Sequence, residues 1–316
     1  MNACRLGTLA IIVAAQLRAQ SPASADSLLQ RGLVEQAETM YYAAVRAAPR
    51  SPEARLRLGR YLIGRGATRV GAVLVEEAVQ FGLDPATAAP VLAPAYEYLG
   101  DFQALSRLSP TFVGVSTVAR ARWLVDHPMR EAAPDSVTLV DFRERMAGDT
   151  VGTVPIRVNG RNVTAVINAR ARGVTLGNEL ANATRTRRFE SAVDSGRAIR
   201  LGVADSISFG RLVMRSLPVR IDASGAERGV VLGLDALMRF APTFDGSAAK
   251  LELHAGGSPG ARPAAGTAIA TLIVEGELLA STAGGWASIT MPNVARLLRG
   301  HRWTIATKRG EIVVER

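Results

Sequence analysis

The sequence predicts a multidomain α+β protein in which N-terminal helical hairpins precede an all-β barrel and a small β-rich C-terminal segment. Before about residue 110, small and aromatic residues recur at helical spacing and prolines follow the runs. From Val151 onward, apolar residues alternate with a period of two between turn-forming residues. The chain has 316 residues and 48% hydrophobic composition, enough for buried cores.

The N-terminus has the order of features that export signals share. Arg5 supplies a positive charge, residues 6–17 form an apolar run, and Ala23-Ser24-Ala25 fits the small-residue cleavage pattern. The apolar run is too short for a stable membrane anchor. We therefore expect residues 1–25 to be a signal peptide, the mature protein to be periplasmic or extracellular, and no integral membrane segment to remain. A buried amphipathic helix is the alternative.

Charge and cysteine usage exclude several classes of function. Cys4 is the only cysteine and lies within the predicted signal, which leaves no thiol for disulfides, catalysis or zinc. The net charge of +10 comes from scattered arginines without an aromatic-interleaved stripe, and only two of the 38 basic residues are lysine. We expect no nucleic-acid partner and attribute the arginine excess to coding composition.

Residues 26–110 carry a repeated pattern of glycine, small and aromatic residues. Gly32, Ala37, Tyr41, Ala44 and Pro49 form the first unit. A shift of about 34 residues brings Leu58, Gly59, Gly66 and Ala78 to the matching offsets, and a third, degraded unit follows. The pattern resembles tetratricopeptide-type helical hairpins; a plain helical bundle is the alternative. So few repeats are expected to pack against the segment that follows.

The remaining chain divides at changes of pattern. Residues 111–150 are a connecting segment with a predicted helix at 119–126 and a strand at 136–142. The main β region is 151–255, and the Gly-, Pro- and Ala-rich stretch 256–266 reads as a linker. Residues 267–316 form the β-rich segment. They are predicted to contain strands at 269–274, 286–291, 303–305 and 312–314 and a helix at 294–298.

The β region has a recognisable order of short motifs. A hairpin around Asn159-Gly160 leads into the apolar strand 163–167, which runs into the turn Asn168-Ala-Arg-Ala171. A second hairpin at 205–210 follows, and then Val230-Val-Leu-Gly-Leu-Asp235, which enters a short helix for which Asp235 is the predicted N-cap. In this order, the motifs resemble the retropepsin-type aspartic proteases, an acid-protease barrel fold.

The resemblance also shows what the turn lacks. The family has Asp-Thr/Ser-Gly where this chain has Asn168, Ala169 and Arg170. In the family, two such turns meet across a homodimer, and two carboxylates share one proton to activate water. An amide has no proton to titrate, alanine has no hydroxyl, and two arginines near a dimer axis would repel each other. We therefore predict no catalytic residue here, and assign Asn168, Arg170 and Gly233 to substrate binding.

Other candidate residues carry weaker signals. Asp194-Ser195-Gly196 matches the active triplet of the family, but no apolar strand precedes it. Asp, Ser and Gly together are typical of a surface turn. Asp194 is therefore the second-choice candidate for a catalytic residue. Asp205 and Asp245 read as hairpin and turn residues. The three histidines, His127, His254 and His301, have no metal-ligand spacing, and we expect neither metal nor cofactor.

Two functions of different classes remain. The first is an exported, catalytically inactive protease-like protein that binds a peptide or a protein. The second is an active aspartic endopeptidase that uses a partner chain or a residue such as Asp194. The resemblance implies a homodimer; a third reading makes 267–316 a shortened second lobe, and thus an internal pseudo-dimer.

Overall fold

The computed structural model describes residues 22–189, 198–257, 266–274 and 276–315. The predicted signal peptide lies outside these ranges except for its last residues. Helices occupy the first described part of the chain. They are α1 Pro22–Gln30, α2 Val34–Ala47, α3 Pro52–Gly64, α4 Thr68–Gln80, α5 Pro85–Leu99, α6 Phe102–Arg107, α7 Pro110–Val113 and α8 Val115–Asp126.

Three of the helices, α3, α5 and α7, begin with a capping residue followed by proline. Ser51 accepts a hydrogen bond from the backbone N–H of Ala54 at 3.2 Å, and Asp84 accepts one from Ala86 at 3.0 Å. Proline follows each cap, where its missing N–H costs nothing. The helical part continues to Asp126, and the helix predicted at 119–126 begins earlier, at Val115.

Neighbouring helices approach closely at glycine and alanine. A methyl group on Gly59 of α3 would lie 2.7 Å from Val75 and 2.8 Å from the carbonyl oxygen of Gly71, both on α4. Ala37 and Tyr41, two residues of the repeat pattern, are buried in α2. Small residues at such positions let neighbouring helices approach each other closely.

The N-terminal helix α1 includes the predicted cleavage site. Ala25 is fully buried in a cluster with Ala37 and Tyr41. The hydroxyl of Tyr41 donates to the carboxylate of Asp26, and burial together with Asp26 raises the tyrosine pKa. Among the helices of the described ranges, none combines the length and apolar character that a bilayer crossing requires.

Strands begin after the helices. They are β1 Arg130–Ala132, β2 Val137–Asp141, β3 Arg143–Ala147, β4 Thr150–Val158, β5 Arg161–Asn168, β6 Val174–Gly177, β7 Arg187–Phe189, β8 Ile199–Phe209, β9 Leu212–Asp222, β10 Val230–Gly233, β11 Thr243–Asp245, β12 Lys250–His254, β13 Gly266–Val274, β14 Glu277–Thr282, β15 Gly285–Ser288, β16 Arg302–Ala306 and β17 Glu311–Glu315. Short helices lie between them: α9 Asn178–Ala183, α10 Leu234–Met238 and α11 Pro292–Leu298.

The first sheet closes on itself. Strand β8 pairs with β4 and β7 along one edge and with β9 along the other. Strand β9 pairs with β6, which pairs with β10, and β10 pairs with β5. Because β5 pairs with β4, and β4 pairs with β8, the pairings form the closed ring β4-β5-β10-β6-β9-β8. Alternate residues of β4, such as Val154, Ile156 and Val158, are buried within it.

The hairpin predicted around Asn159-Gly160 is confirmed. Strands β4 and β5 pair through Val158 and Arg161, and both turn residues have a positive φ, 47° and 84°. The Asn159 side chain also holds the neighbouring hairpin: its oxygen accepts from the backbone N–H of Ser206 at 2.9 Å. Asn159, favoured here for its turn conformation, thus also links the turn between β4 and β5 to β8.

The second sheet joins regions that the sequence separates. Its order is β15-β14-β13-β17-β16-β11-β12-β2. Strands β11 and β12 belong to the predicted β domain, whereas β13 to β17 belong to the predicted C-terminal segment. The two regions meet where β11 pairs with β16, Phe244 opposite Trp303, with the two rings stacked 4.2 Å apart. Strand β2, from the connecting segment, pairs with β12 at the other edge.

The helices were expected to pack against the segment that directly follows them, and they are also bonded to the C-terminal segment. The guanidinium of Arg65, directly after α3, donates to the carbonyl oxygens of Thr271 and Gly310. The indole N–H of Trp286 donates to the carbonyl of Leu29 at 2.5 Å. The helical and β-rich parts of the described chain are therefore bonded across residues more than 200 positions apart.

Candidate functional site

The candidate site lies where two parallel strands end side by side. Strands β5 and β10 pair in parallel, with Asn168 opposite Gly233. The backbone N–H of Gly233 donates to the carbonyl of Gly173 at 2.7 Å, which closes the turn that follows β5 onto the end of β10. The structure thus brings together Asn168 and Gly233, two of the residues that the sequence assigned to binding.

The side chain of Asn168 is occupied by its own turn. Its Oδ1 accepts hydrogen bonds from the backbone N–H groups of Arg170 at 2.8 Å and Ala171 at 3.0 Å. Asparagine commonly closes a turn in this way. The amide carries no titratable proton, and its oxygen already accepts two bonds, so Asn168 has no means of acting as a general base.

Ala169 and Arg170 fill the other two positions of the turn. Ala169 is fully buried, and its backbone N–H donates to the carbonyl of Asp149 at 2.8 Å. The side chain of Arg170 is 56% exposed, and its Nε lies 3.4 Å from an Asp149 oxygen and 3.2 Å from a Glu277 oxygen. The hydrogen bond to Glu277 and the charge of Asp149 raise the Arg170 pKa.

Two carboxylates therefore lie beside the turn, but a guanidinium bridges them. A catalytic carboxylate pair needs its two groups in contact so that they share one proton. Asp149 and Glu277 instead each face the permanently charged Arg170. This arrangement binds a cation between two anions, and it suits structural attachment rather than proton transfer.

The C-terminal segment contacts the turn through the hairpin of β13 and β14. Glu277, the first residue of β14, forms the ion pair with Arg170. Gly276 approaches Arg172 so closely that a methyl group on it would overlap the Arg172 side chain. The hairpin therefore lies against residues 170–172 of the turn, a contact that the sequence did not predict.

Asp235 has a structural position, but not the predicted one. The N-cap residue of α10 is Gly233, and Asp235 lies in the first turn of that helix. Both Asp235 oxygens accept from the backbone N–H of Gly173, at 2.8 and 3.0 Å, and Oδ1 accepts from Ala236 at 2.8 Å. Burial raises the Asp235 pKa to about 6.

Gly233 has no space for a side chain. A methyl group on it would overlap the carbonyl oxygen of Ala171 and the Asp235 carboxylate. The apolar-apolar-glycine pattern before α10 thus reflects a close approach between the end of β10 and the turn after β5.

The other candidate residues from the sequence lie away from this turn or outside the residues that the structure describes. Asp194 falls outside the described residues. Asp205 is exposed in β8, and Asp245 closes a turn by accepting from Ser247 Oγ at 2.7 Å and from the backbone N–H of Ala248 at 2.8 Å. Within the described ranges, no three His, Cys, Asp or Glu residues form a group that could hold a metal ion.

Comparisons with known proteins give partial likenesses. No protein-family model matches the sequence, and no curated protein matches it. A retropepsin-like aspartic protease from Rickettsia conorii is similar in structure, with 14% identity and a TM-score of 0.27, over 40% of this chain and 91% of that one. The retroviral protease-like domain of Ddi1 from Leishmania major has 17% identity and a TM-score of 0.23, over 28% of this chain and 77% of that one.

Proposed function

We propose that this chain is an exported, non-catalytic protein that binds a peptide or another protein. In this proposal, the ring of strands is a retropepsin-like barrel and α1 to α8 are tetratricopeptide-like hairpins. One observation carries the proposal: the turn at the paired ends of β5 and β10 presents an amide and an arginine instead of a carboxylic acid.

The three changes in the turn support the loss of catalysis independently. Asn168 has no proton to exchange, the buried Ala169 has no hydroxyl, and Arg170 places a fixed positive charge at the third position. Restoring one of them leaves the other two. The chain is thus better suited to holding a ligand than to hydrolysing it.

Two features of the fold support a binding role. The second sheet ends in the edge strands β15 and β2. Sheet edges bind extended peptides by main-chain hydrogen bonds, and this affinity does not depend on catalytic groups. Helical pairs stacked side by side offer a second, extended surface. A peptide or protein is therefore the partner class that both parts of the chain share.

The proposal is tested by cleavage and binding of unfolded casein. Residues 26–316 are expected to give no cleavage above the blank between about pH 3 and pH 8, a range that covers the working pKa values of catalytic carboxylates. Fluorescein-labelled casein peptides are expected to bind, as measured by anisotropy. Asn168→Asp is the matched variant, and it should also be silent because Ala169 and Arg170 are unchanged.

The alternative is an active aspartic endopeptidase, and the same assay separates it. Casein cleavage by the wild type that disappears in Asp194→Ala would overturn the proposal and move the site to Asp194. Cleavage by Asn168→Asp alone would show that two restored turns still meet across a dimer. Absence of both cleavage and peptide binding would reject the binding role.

A further inference from the structure

A cavity of about 190 Å³ lies between the helices and the ring of strands. Helices α5 and α8 form one wall, and β9 with residues 172–174 forms the other. Residues 172–174 directly follow the turn at 168–171. The helices α5 and α8, which form the other wall, contribute no residue to that turn. The cavity therefore shares Arg172, Gly173 and Asp235 with the surroundings of the turn, and the rest of its lining comes from other elements.

The cavity has an excess of positive charge. Four of its lining residues are arginines and two carry carboxylates: Arg120, Arg172, Arg220, Arg239, Glu97 and Asp235. Glu97 is engaged by Arg120, with Nη2 2.9 Å from a Glu97 oxygen. Both oxygens of Asp235 accept backbone N–H groups. Each carboxylate is thus already engaged by another group.

The carboxylates of Glu97 and Asp235 attract Arg220 and Arg239 from beyond ion-pair distance. Within the described part of the chain, Arg220 and Arg239 form no ion pair, and Arg239 Nε is buried without a hydrogen-bond acceptor. The remaining Arg239 contacts are the sulfur of Met129 at 3.1 Å and the carbonyl of Tyr98 at 3.4 Å. Burial lowers the pKa of both guanidinium groups. A buried cation with this surrounding is stabilised by an added anion.

Apolar side chains complete the lining. Pro94, Val174, Leu201, Met214 and Leu217 all face the cavity. Its volume is below the range of about 300–1,000 Å³ found for pockets that hold drug-sized ligands. The cavity therefore suits a small group that is anionic at one end and apolar at the other.

We propose that this cavity binds a carboxylate that carries a short apolar group, held by the guanidinium groups of Arg220 and Arg239. The two sources of this chemistry are the C-terminal residue of a peptide and a free short-chain acid. A planar guanidinium binds a carboxylate through two parallel hydrogen bonds, which would give the arginines a carboxylate at hydrogen-bonding distance. The inference goes beyond the proposed function and is independent of whether the chain cleaves casein.

The first test compares an acid with its amide. N-acetyl-leucine is titrated into the full chain by calorimetry beside N-acetyl-leucinamide, which has the same shape without the charge. The acid is expected to bind at least about tenfold more tightly, as for hydrogen bonds to charged groups. Equal affinities, or no heat from either compound, would overturn the proposal.

The second test locates the site. Arg220→Gln is expected to weaken binding of N-acetyl-leucine by about tenfold or more. Arg215→Gln is the matched control, because Arg215 lies on the same strand, is exposed and does not line the cavity. A loss of affinity in both variants, or in neither, contradicts the assignment. If Arg220→Gln does not fold, Arg220→Lys is used instead, because lysine keeps the positive charge but lacks the planar guanidinium. Undiminished binding of N-acetyl-leucine by Arg220→Lys would contradict the paired hydrogen bonds.

The last arm distinguishes the two sources. A tetrapeptide ending in leucine is compared with isovalerate, which is the free acid of similar branching. Tighter binding of the tetrapeptide supports a peptide C-terminus, and tighter binding of isovalerate supports a free acid. Binding of neither compound overturns the inference.

Discussion

At the scale of single residues, the turn at 168–171 is held by hydrogen bonds that need no acid in it. Asn168 closes the turn with two backbone hydrogen bonds, as an aspartate in its place would also do. Gly233 and Asp235 secure the neighbouring strand end to the same turn. The turn therefore keeps its shape without an acid in it.

Asp235 gives a testable dependence of stability on pH. Burial raises its pKa from 3.8 to about 6, so the folded state holds this proton more tightly than the unfolded state. Its contribution to the free energy of unfolding is fully present below about pH 3.8 and is lost as the pH rises through about 6. Glu97 opposes and Arg172 favours its ionisation, and Arg220 and Arg239 also interact with it.

Replacing Asp235 with Asn is expected to remove this dependence. As the pH rises from 4 to 7, the unfolding free energy of the wild type should fall relative to that of Asp235→Asn, by on the order of 1–3 kcal/mol. Urea unfolding at several pH values measures it. Asp205→Asn, at an exposed position of β8, is the control, and parallel curves for wild type and Asp235→Asn would contradict the prediction.

At the scale of elements, local signals in the sequence were sufficient where a single hairpin or helix decides the structure. The Asn159-Gly160 turn fixes the register of β4 and β5, and the helix predicted at 294–298 lies within Pro292–Leu298. Strand β3 was not predicted, because Arg143–Ala147 has little apolar alternation and is held by its pairing with β4. A short stretch of sequence does not reveal which distant strand it will pair with.

The contact between α3 and the C-terminal segment depends on Arg65. Its guanidinium satisfies the carbonyl oxygens of Thr271 and Gly310, and both lose a partner if the side chain is removed. Arg65→Ala is expected to lower the unfolding free energy by about 1.5–3 kcal/mol. Thermal unfolding tests this against Arg69→Ala, an exposed arginine of α4 that should change stability by less than about 0.5 kcal/mol. Equal effects of the two substitutions would show that the contact contributes nothing specific.

At the scale of the whole molecule, the sequence indicated the two classes of structure but not how they meet. The arginines of the cavity come from α8, the turn after β5, β9 and the C-cap of α10, so no short motif contains them. The predicted linker also separated strands that share one sheet. Strands β11 and β16 pair with Phe244 opposite Trp303, and the two stacked rings are a contact between residues far apart in the chain.

The pairing of β11 with β16 leads to a prediction of the oligomeric state. The edge of β11 is occupied by a strand of the same chain, and the hairpins β11–β12 and β16–β17 lie on opposite sides of this junction. We expect purified residues 26–316 to be monomeric, as for an internal pseudo-dimer. Light scattering after size-exclusion chromatography measures the mass, and twice the chain mass at micromolar concentration would favour the homodimer instead.

The same pairing has a consequence for the order of folding. Strand β11 has β12 on one edge, and its other edge stays open until residues 302–306 are available. During synthesis, about fifty further residues must emerge after β12 before that edge is closed. A nascent chain therefore exposes a strand edge next to Phe244 through this interval, and such an edge promotes association between chains. The final strands thus protect the nascent chain from aggregation as well as completing its core.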